Sequence, residues 1–198
     1  MISKALGAAA LVCLAACSTL PHQTGSPTPV ASNAANAFAA YTEELLEEFW
    51  QEFPEFAFRA GNYKYADRMM IPDQLRRDGN RAFYMRHLAK LNAFDPSALS
   101  ESQRVDWVLI KNRLEASLWS QDTFRAWQWQ PSSYNVGGNL STLLTREYAP
   151  LDTRLRHFMS KLERVPAYYR AAVANIDNPT LEHAELAIIQ NRGALNGL

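Results

Sequence analysis

The chain has 198 residues, 47% of them hydrophobic and 20% charged, values that fit a folded domain and exclude a charge-rich disordered polypeptide. Lysine plus arginine equals aspartate plus glutamate at 20 each, so no cationic excess exists to neutralise phosphates, and nucleic acid is excluded as an expected partner. Both cysteines, Cys13 and Cys17, lie in the apolar N-terminal stretch, so packing rather than disulfides or thiolate metal sites must hold the rest together.

Met1–Lys4 give a short positive start, Ala5–Ala16 a small-residue-rich apolar stretch, and Leu14-Ala15-Ala16-Cys17 closes it. That order reads as a secretion signal, residues 1–16, ending in a lipobox. The run is too short to cross roughly 30 Å of hydrocarbon as a permanent helix, so cleavage before Cys17 is the expectation. The Cys17 thiol, a strong nucleophile at the cleavage point, is then expected to carry diacylglycerol through a thioether, with further acylation making the membrane anchor stable where a single chain does not. The plainer alternative is a secretory signal with an incidental cysteine. Ser18 stands where similar lipoproteins of Gram-negative bacteria carry aspartate for inner-membrane retention, so this resemblance implies the cell envelope, at the outer membrane facing the periplasm. Residues 17–33, with three prolines among serines and threonines, are expected to be a disordered tether. His22 within it has no assigned role.

From Ala34 on, the apolar spacing is helical and the prolines fall between periodic segments, so residues 34–198 are expected to form one all-α, antiparallel multi-helix bundle. In the first helix Phe38, Tyr41, Leu45 and Phe49 share a stripe widened by Leu46 and Phe53, while Glu43, Glu44, Glu47 and Glu48 take the opposite arc as a solvated face. Pro54 opens a short second helix that Gly61 can end in the left-handed conformation, and residues 62–70 read as a tyrosine-containing loop. A third helix is expected over about 73–92. Ser100 with Gln103 forms a capping box for a long helix to about Thr123, expected to turn Val105, Val108, Leu109, Leu114 and Leu118 inward with Trp107 and Trp119 beside them. Residues 125–135 read as extended and irregular, and Gly137-Gly138 precede a helix through Thr145. Further helices begin near Leu151, Pro166 and Thr180. Leu151, Leu155, Phe158 and Leu162 are expected as one buried stripe, and Leu181, Ala184, Ile188 and Leu195 as another.

Zinc-peptidase chemistry needs two histidines one helical turn apart with a glutamate beside the first, so that both rings reach one ion and the carboxylate can activate its water. Neither His157 nor His183 lies in such a pattern and His87 is alone in its helix, so all three are expected to be surface or hydrogen-bonded histidines. No catalytic, cofactor-binding or metal-ligating residue is assigned. Ser132, Ser133 and Ser141 lack the Gly-x-Ser-x-Gly elbow, and Gly137-Gly138 lacks the Lys-Ser/Thr of a phosphate loop. Trp127, Trp129 and Tyr134 form an aromatic loop that can stack on a sugar or peptide side chain, or can simply be pinned into a helix cleft by its rings. The loop of Tyr63, Tyr65 and Asp67 is open to the same two readings.

The ordered residues carry a resemblance. The run Phe49-Trp50-Gln51-Glu52-Phe53-Pro54-Glu55-Phe56-Ala57, then Gly61 and Tyr65 to Asp67, is similar to the opening of the bacterial domain of unknown function 885 family. The similarity continues through Asp95-Pro96-Ser97-Ala98-Leu99-Ser100, Arg104 with Asp106, Arg113-Leu114-Glu115, Pro131 with Tyr134, Pro150-Leu151, Arg154-Leu155, Asn175-Ile176 and Asn178-Pro179. The resemblance implies a largely helical envelope protein, commonly signal-bearing or lipid-anchored and much longer than this chain. It also implies zinc metallopeptidase-like chemistry, from a His-Glu-x-x-Pro-Gly-His motif in the family's later half that has no counterpart here. The expectation is therefore an N-terminal part, inactive alone, that packs its last helix against a second half. Leu195 and Leu198 are expected to be exposed in its absence. The alternative is a self-sufficient, non-enzymatic helical lipoprotein that binds an envelope partner through the aromatic loop or the C-terminal leucines.

Overall fold

The computed structural model describes residues 29–197, so the signal segment, Cys17 and residues 18–28 lie outside the described residues. Among the described residues are nine α-helices and no strand: α1 (Pro29–Glu52), α2 (Pro54–Arg59), α3 (Gln74–Asn92), α4 (Glu101–Trp119), α5 (Ala126–Trp129), α6 (Gly137–Thr145), α7 (Leu151–Leu162), α8 (Val165–Asn175) and α9 (Leu181–Gly197). The architecture is the all-α bundle that the apolar spacing implies. α1 starts earlier than expected and absorbs residues 29–33 of the segment read as tether. Pro29 costs it little, since a first-turn proline gives up no helical hydrogen bond.

Local chemistry sets the helix ends. The Asp73 side chain accepts the Arg76 N–H at 2.8 Å and opens α3, and Ser100 and Gln103 close a reciprocal capping box on α4. α2 stops at Gly61, whose φ of 89° lets Asn62 N–H reach Ala57 O at 2.8 Å and Gly61 N–H reach Phe58 O at 3.1 Å, a paired C-terminal closure that a side chain would strain.

The interior falls into two clusters. In the first, α1, α3 and α4 bury Phe38, Tyr41, Leu45, Phe83, Leu91 and Leu114 together with Leu99. In the second, Phe58, Ala66, Met69, Val136, Leu140 and Leu143 are covered by Tyr148 from the α6–α7 connection, Phe158 from α7, and Val165, Tyr168 and Tyr169 from α8. α6 and α9 touch where Gly137 faces Ala194: a Cβ added at Gly137 would lie 2.4 Å from the Ala194 Cβ, so only glycine allows this approach.

Several apolar positions differ from expectation. On α4 the buried stripe is Leu114 with the half-buried Trp107 and Ile110, one i, i+3, i+7 row; Val105, Val108 and Trp119 are exposed, and Leu109 is 60% exposed. Leu46 on α1 also faces outward. On α7 the expected stripe is turned outward at Leu151, Leu155 and Leu162, and on α9 Leu181, Ile188 and Leu195 are exposed. Of the expected α7 stripe only Phe158 packs inward, joined by Lys161, and α9 is buried at Ala187. Residues 125–135 are not extended: they form α5 and a 3-10 turn at Pro131–Tyr134.

The glutamate arc of α1 is only partly solvated. Lys64 and Tyr65 donate to Glu47, Arg86 to Glu48, and Lys90 to Glu44 at 2.7 Å. The Lys64 and Tyr65 bonds hold the Glu47 carboxyl down at about 2. Beneath this arc His87 is 0% exposed, its Nε2 lying 3.1 Å from Glu48 and its carbonyl accepting the Tyr41 hydroxyl at 3.0 Å. Burial, with Glu44 and Glu48 adding to it, pushes the Tyr41 phenol up to about 12. Burial pulls the His87 imidazole below its ordinary value of 6.5, against the opposing pull of Glu48.

The folded chain thus binds the His87 proton less readily than the unfolded chain. That contribution to stability is complete above pH 6.5 and is lost as the pH falls from 6.5 toward the lower folded value. Urea midpoints measured at pH 7.5 and 5.5 are expected to fall on acidification, and to fall less in His87→Gln. An equal fall in the variant would remove His87 as the cause.

Candidate functional site

The described cavities include one of about 450 Å³ between the first cluster and the segment that follows α4. One wall comes from α3 with Arg76, Arg77, Asn80 and Tyr84, and a second from α4 with Arg113, Ala116 and Ser117. The chain then makes a π-helical turn, Ser120–Phe124, ending at Arg125 with φ 51°. A left-handed non-glycine residue after a widened turn is a strained local solution that recurs beside functional sites. Its effect here is to reverse the chain so that Trp127 folds back over the cavity and donates to Gln121 O at 3.2 Å.

A chain of hydrogen bonds fixes the remaining wall. The Tyr134 hydroxyl donates to Trp127 O at 2.7 Å, Asn175 Nδ2 donates to the Tyr134 hydroxyl at 3.1 Å, and Gln121 Nε2 donates to Arg77 O at 2.7 Å. The Arg77 guanidinium is held by Asn175 Oδ1 at 2.6 Å, Pro72 O at 3.1 Å and Gln74 Oε1 at 2.7 Å, and lies over the Trp127 ring at 4.1 Å. All those acceptors are neutral. Burial pushes the Tyr84 and Tyr134 phenols up, so neither becomes an anion at neutral pH.

Three nearby acids in sequence already have partners. Glu52 pairs with Arg76, Asp122 with Arg81 at 3.0 Å, and Asp73 caps α3. Among the described residues no acid lines the cavity. What the residues assemble is a cationic, aromatic-walled recess, suited to holding a small organic anion.

Of the sequence-derived candidates, Trp127 and Tyr134 meet in this cavity, whereas Trp129 does not line it. Trp129 donates to Phe124 O at 3.0 Å and packs its ring 5.6 Å from His183. Tyr65 serves Glu47, and Tyr63 stacks on Tyr148 at 4.7 Å. In the sequence the lining arginines carry one signal, the adjacent Arg76-Arg77 pair just inside a helix N-terminus. All three histidines outside the N-terminal segment are hydrogen-bonded: His87 to Glu48, His157 Nδ1 to the Tyr148 hydroxyl at 2.9 Å, and His183 Nδ1 to Ser132 Oγ at 2.8 Å. The Ser132–His183 hydrogen bond joins the 3-10 turn to α9. No three of the described His, Cys, Asp and Glu residues converge as a metal site. No described helix is long and apolar enough to cross a membrane.

Fold and cavity together give a helical body with an arginine- and aromatic-lined recess. Residues 54–198 match the family described as bacterial protein of unknown function, DUF885, and the chain belongs to that family. It is similar to a solved structure described as a presumed lipoprotein of unknown function from Shewanella oneidensis, with 40% identity and a TM-score of 0.77; the match covers 79% of this chain and 29% of that one. The chain thus spans less than a third of that relative's length. No curated protein matches it.

Proposed function

We propose that this chain is the N-terminal helical portion of a lipid-anchored envelope protein, held at the outer membrane through Cys17, whose complete form is a zinc-dependent peptidase. The chain alone is inactive and supplies one wall of the working cleft. Apolar surface carries the reading: Val105, Val108 and Leu109 on α4, Leu151, Leu155 and Met159 on α7, and Ile188, Ile189 and Leu195 on α9 are all exposed. Helix faces of this kind are what a larger helical body covers, and the 40%-identical relative extends far beyond the matched region. Its description as a presumed lipoprotein supports the anchor.

Metal analysis of purified residues 18–198 is expected to show no stoichiometric zinc, and a dye for exposed apolar surface is expected to bind. A tight one-to-one zinc site, or peptide hydrolysis abolished by chelator and restored by zinc, overturns the assignment of an inactive portion. A second reading, a self-sufficient lipoprotein that binds an envelope partner without catalysis, is favoured by the built cavity around Trp127. A cooperative melt without dye binding would decide for it.

A further inference from the structure

We infer that the cavity between α3, α4 and α5 is a binding site for the C-terminal carboxylate of a peptide. Three arginines line it, and only Arg76 has a carboxylate partner among the described residues. Arg77 carries its charge on neutral acceptors, which fix the guanidinium without cancelling it. Arg113 makes no described ion pair, and its guanidinium lies 5.3 Å from the centroid of the Phe56 ring. In a chain whose charges sum to zero, two uncancelled guanidinium forks around one recess call for an anion, and such forks match a carboxylate in bidentate fashion.

The remaining walls separate a peptide end from an inorganic ion. Trp127, Tyr84 and Ala116 offer rings and a methyl to an organic body. About 450 Å³ is room for an amino-acid residue or two rather than for a lone phosphate. Asn80 lines the same wall, and its Oδ1 is buried with no hydrogen-bond partner. A buried acceptor without a donor costs stability, so a ligand that brings a donor to this wall gains from it. Inorganic phosphate has few protons to give it. The amide N–H next to a terminal carboxylate supplies the missing donor.

The assignment stands on the cavity, and binding is read without hydrolysis, so it can hold even if the peptidase reading fails. Calorimetry on the full chain in detergent would compare N-acetyl-Ala-Phe as the free acid, the same peptide as its C-terminal amide, and inorganic phosphate. The acid is expected to bind one-to-one and to quench tryptophan fluorescence, with the amide at least about tenfold weaker, since a hydrogen-bonded charge pair is lost. Arg113→Gln, at an exposed position that leaves the core intact, is expected to weaken acid binding by about tenfold, and Arg113→Lys by less. Trp127→Phe should abolish the quenching while binding persists. Equal binding of acid and amide, no binding of either, no effect of Arg113→Gln, or saturable binding of phosphate alone each overturns the proposal.

Discussion

Phe83→Ala is expected to lower the unfolding free energy by about 3–5 kcal/mol, which for a domain of this size is a fall of roughly 6–20 °C in Tm. Phe83 is 1% exposed and sits at the centre of a ring cluster contributed by two helices and the residue that joins α1 to α2. The His87 ring lies 4.4 Å away, Tyr84 and Phe53 5.7 Å, and Phe49 6.4 Å. Rigid rings on every side cannot flow into the vacated space, so the variant loses both the transfer free energy and the dispersion contacts of the ring's neighbours. Leu75→Ala on the same helix, at a residue 80% exposed, is the control and should stay within about 0.5 kcal/mol. A loss of under about 1 kcal/mol for Phe83→Ala, where core truncations to alanine cost several, would mean that α1 and α3 repack freely.

Glu55→Ala is expected to cost about 3 kcal/mol, near the lower end of the range for breaking a buried ion pair. Lys161 is 1% exposed, and its ammonium donates to Glu55 Oε1 at 2.9 Å beneath the Phe58 ring. Deleting the carboxylate leaves that cation in apolar surroundings, where water cannot replace the lost partner. The lower end applies because the Glu55 side chain keeps 29% exposure, so some solvent reaches the gap. Lys161→Met removes the buried charge and leaves a carboxylate that can rehydrate, so it should cost less, and the double variant should regain most of the loss. Denaturant unfolding of the four proteins in the cycle measures the coupling. A double variant as unstable as Glu55→Ala alone would show that the pair acts through geometry rather than charge.

Where one rule governed one position, the residues announced the structure. Ser100 with Gln103 closed its box, Gly61 took the left-handed conformation, and Phe38, Tyr41 and Leu45 went inside. The outward faces of α4, α7 and α9 were not legible for a physical reason. A helix with leucines or valines around much of its circumference does not say which arc meets its neighbours, and on α4 the decision fell to Trp107, Ile110 and Leu114. On α7 a lysine lies inside while leucines lie outside, because Glu55 from another helix compensates the ammonium, and no local pattern records a partner 106 residues away. The cavity was half visible for the same reason. Aromatic density marked Trp127 and Tyr134, but the charges opposite them come from α3 and α4, and only the folded chain brings those guanidiniums to one place.

The Arg77–Asn175 bond joins residues 98 apart in the chain, and this sets an order of events during vectorial synthesis. Once Leu114 has left the ribosome, α1, α3 and α4 hold every side chain of their shared cluster and can condense early, as leading segments commonly do. Arg77 must stay hydrated through that interval, because the side chain that clasps it is among the late arrivals. The recess is therefore a late-maturing feature laid against a wall already set, and a nascent chain halted ahead of Asn175 would carry the early helices without it.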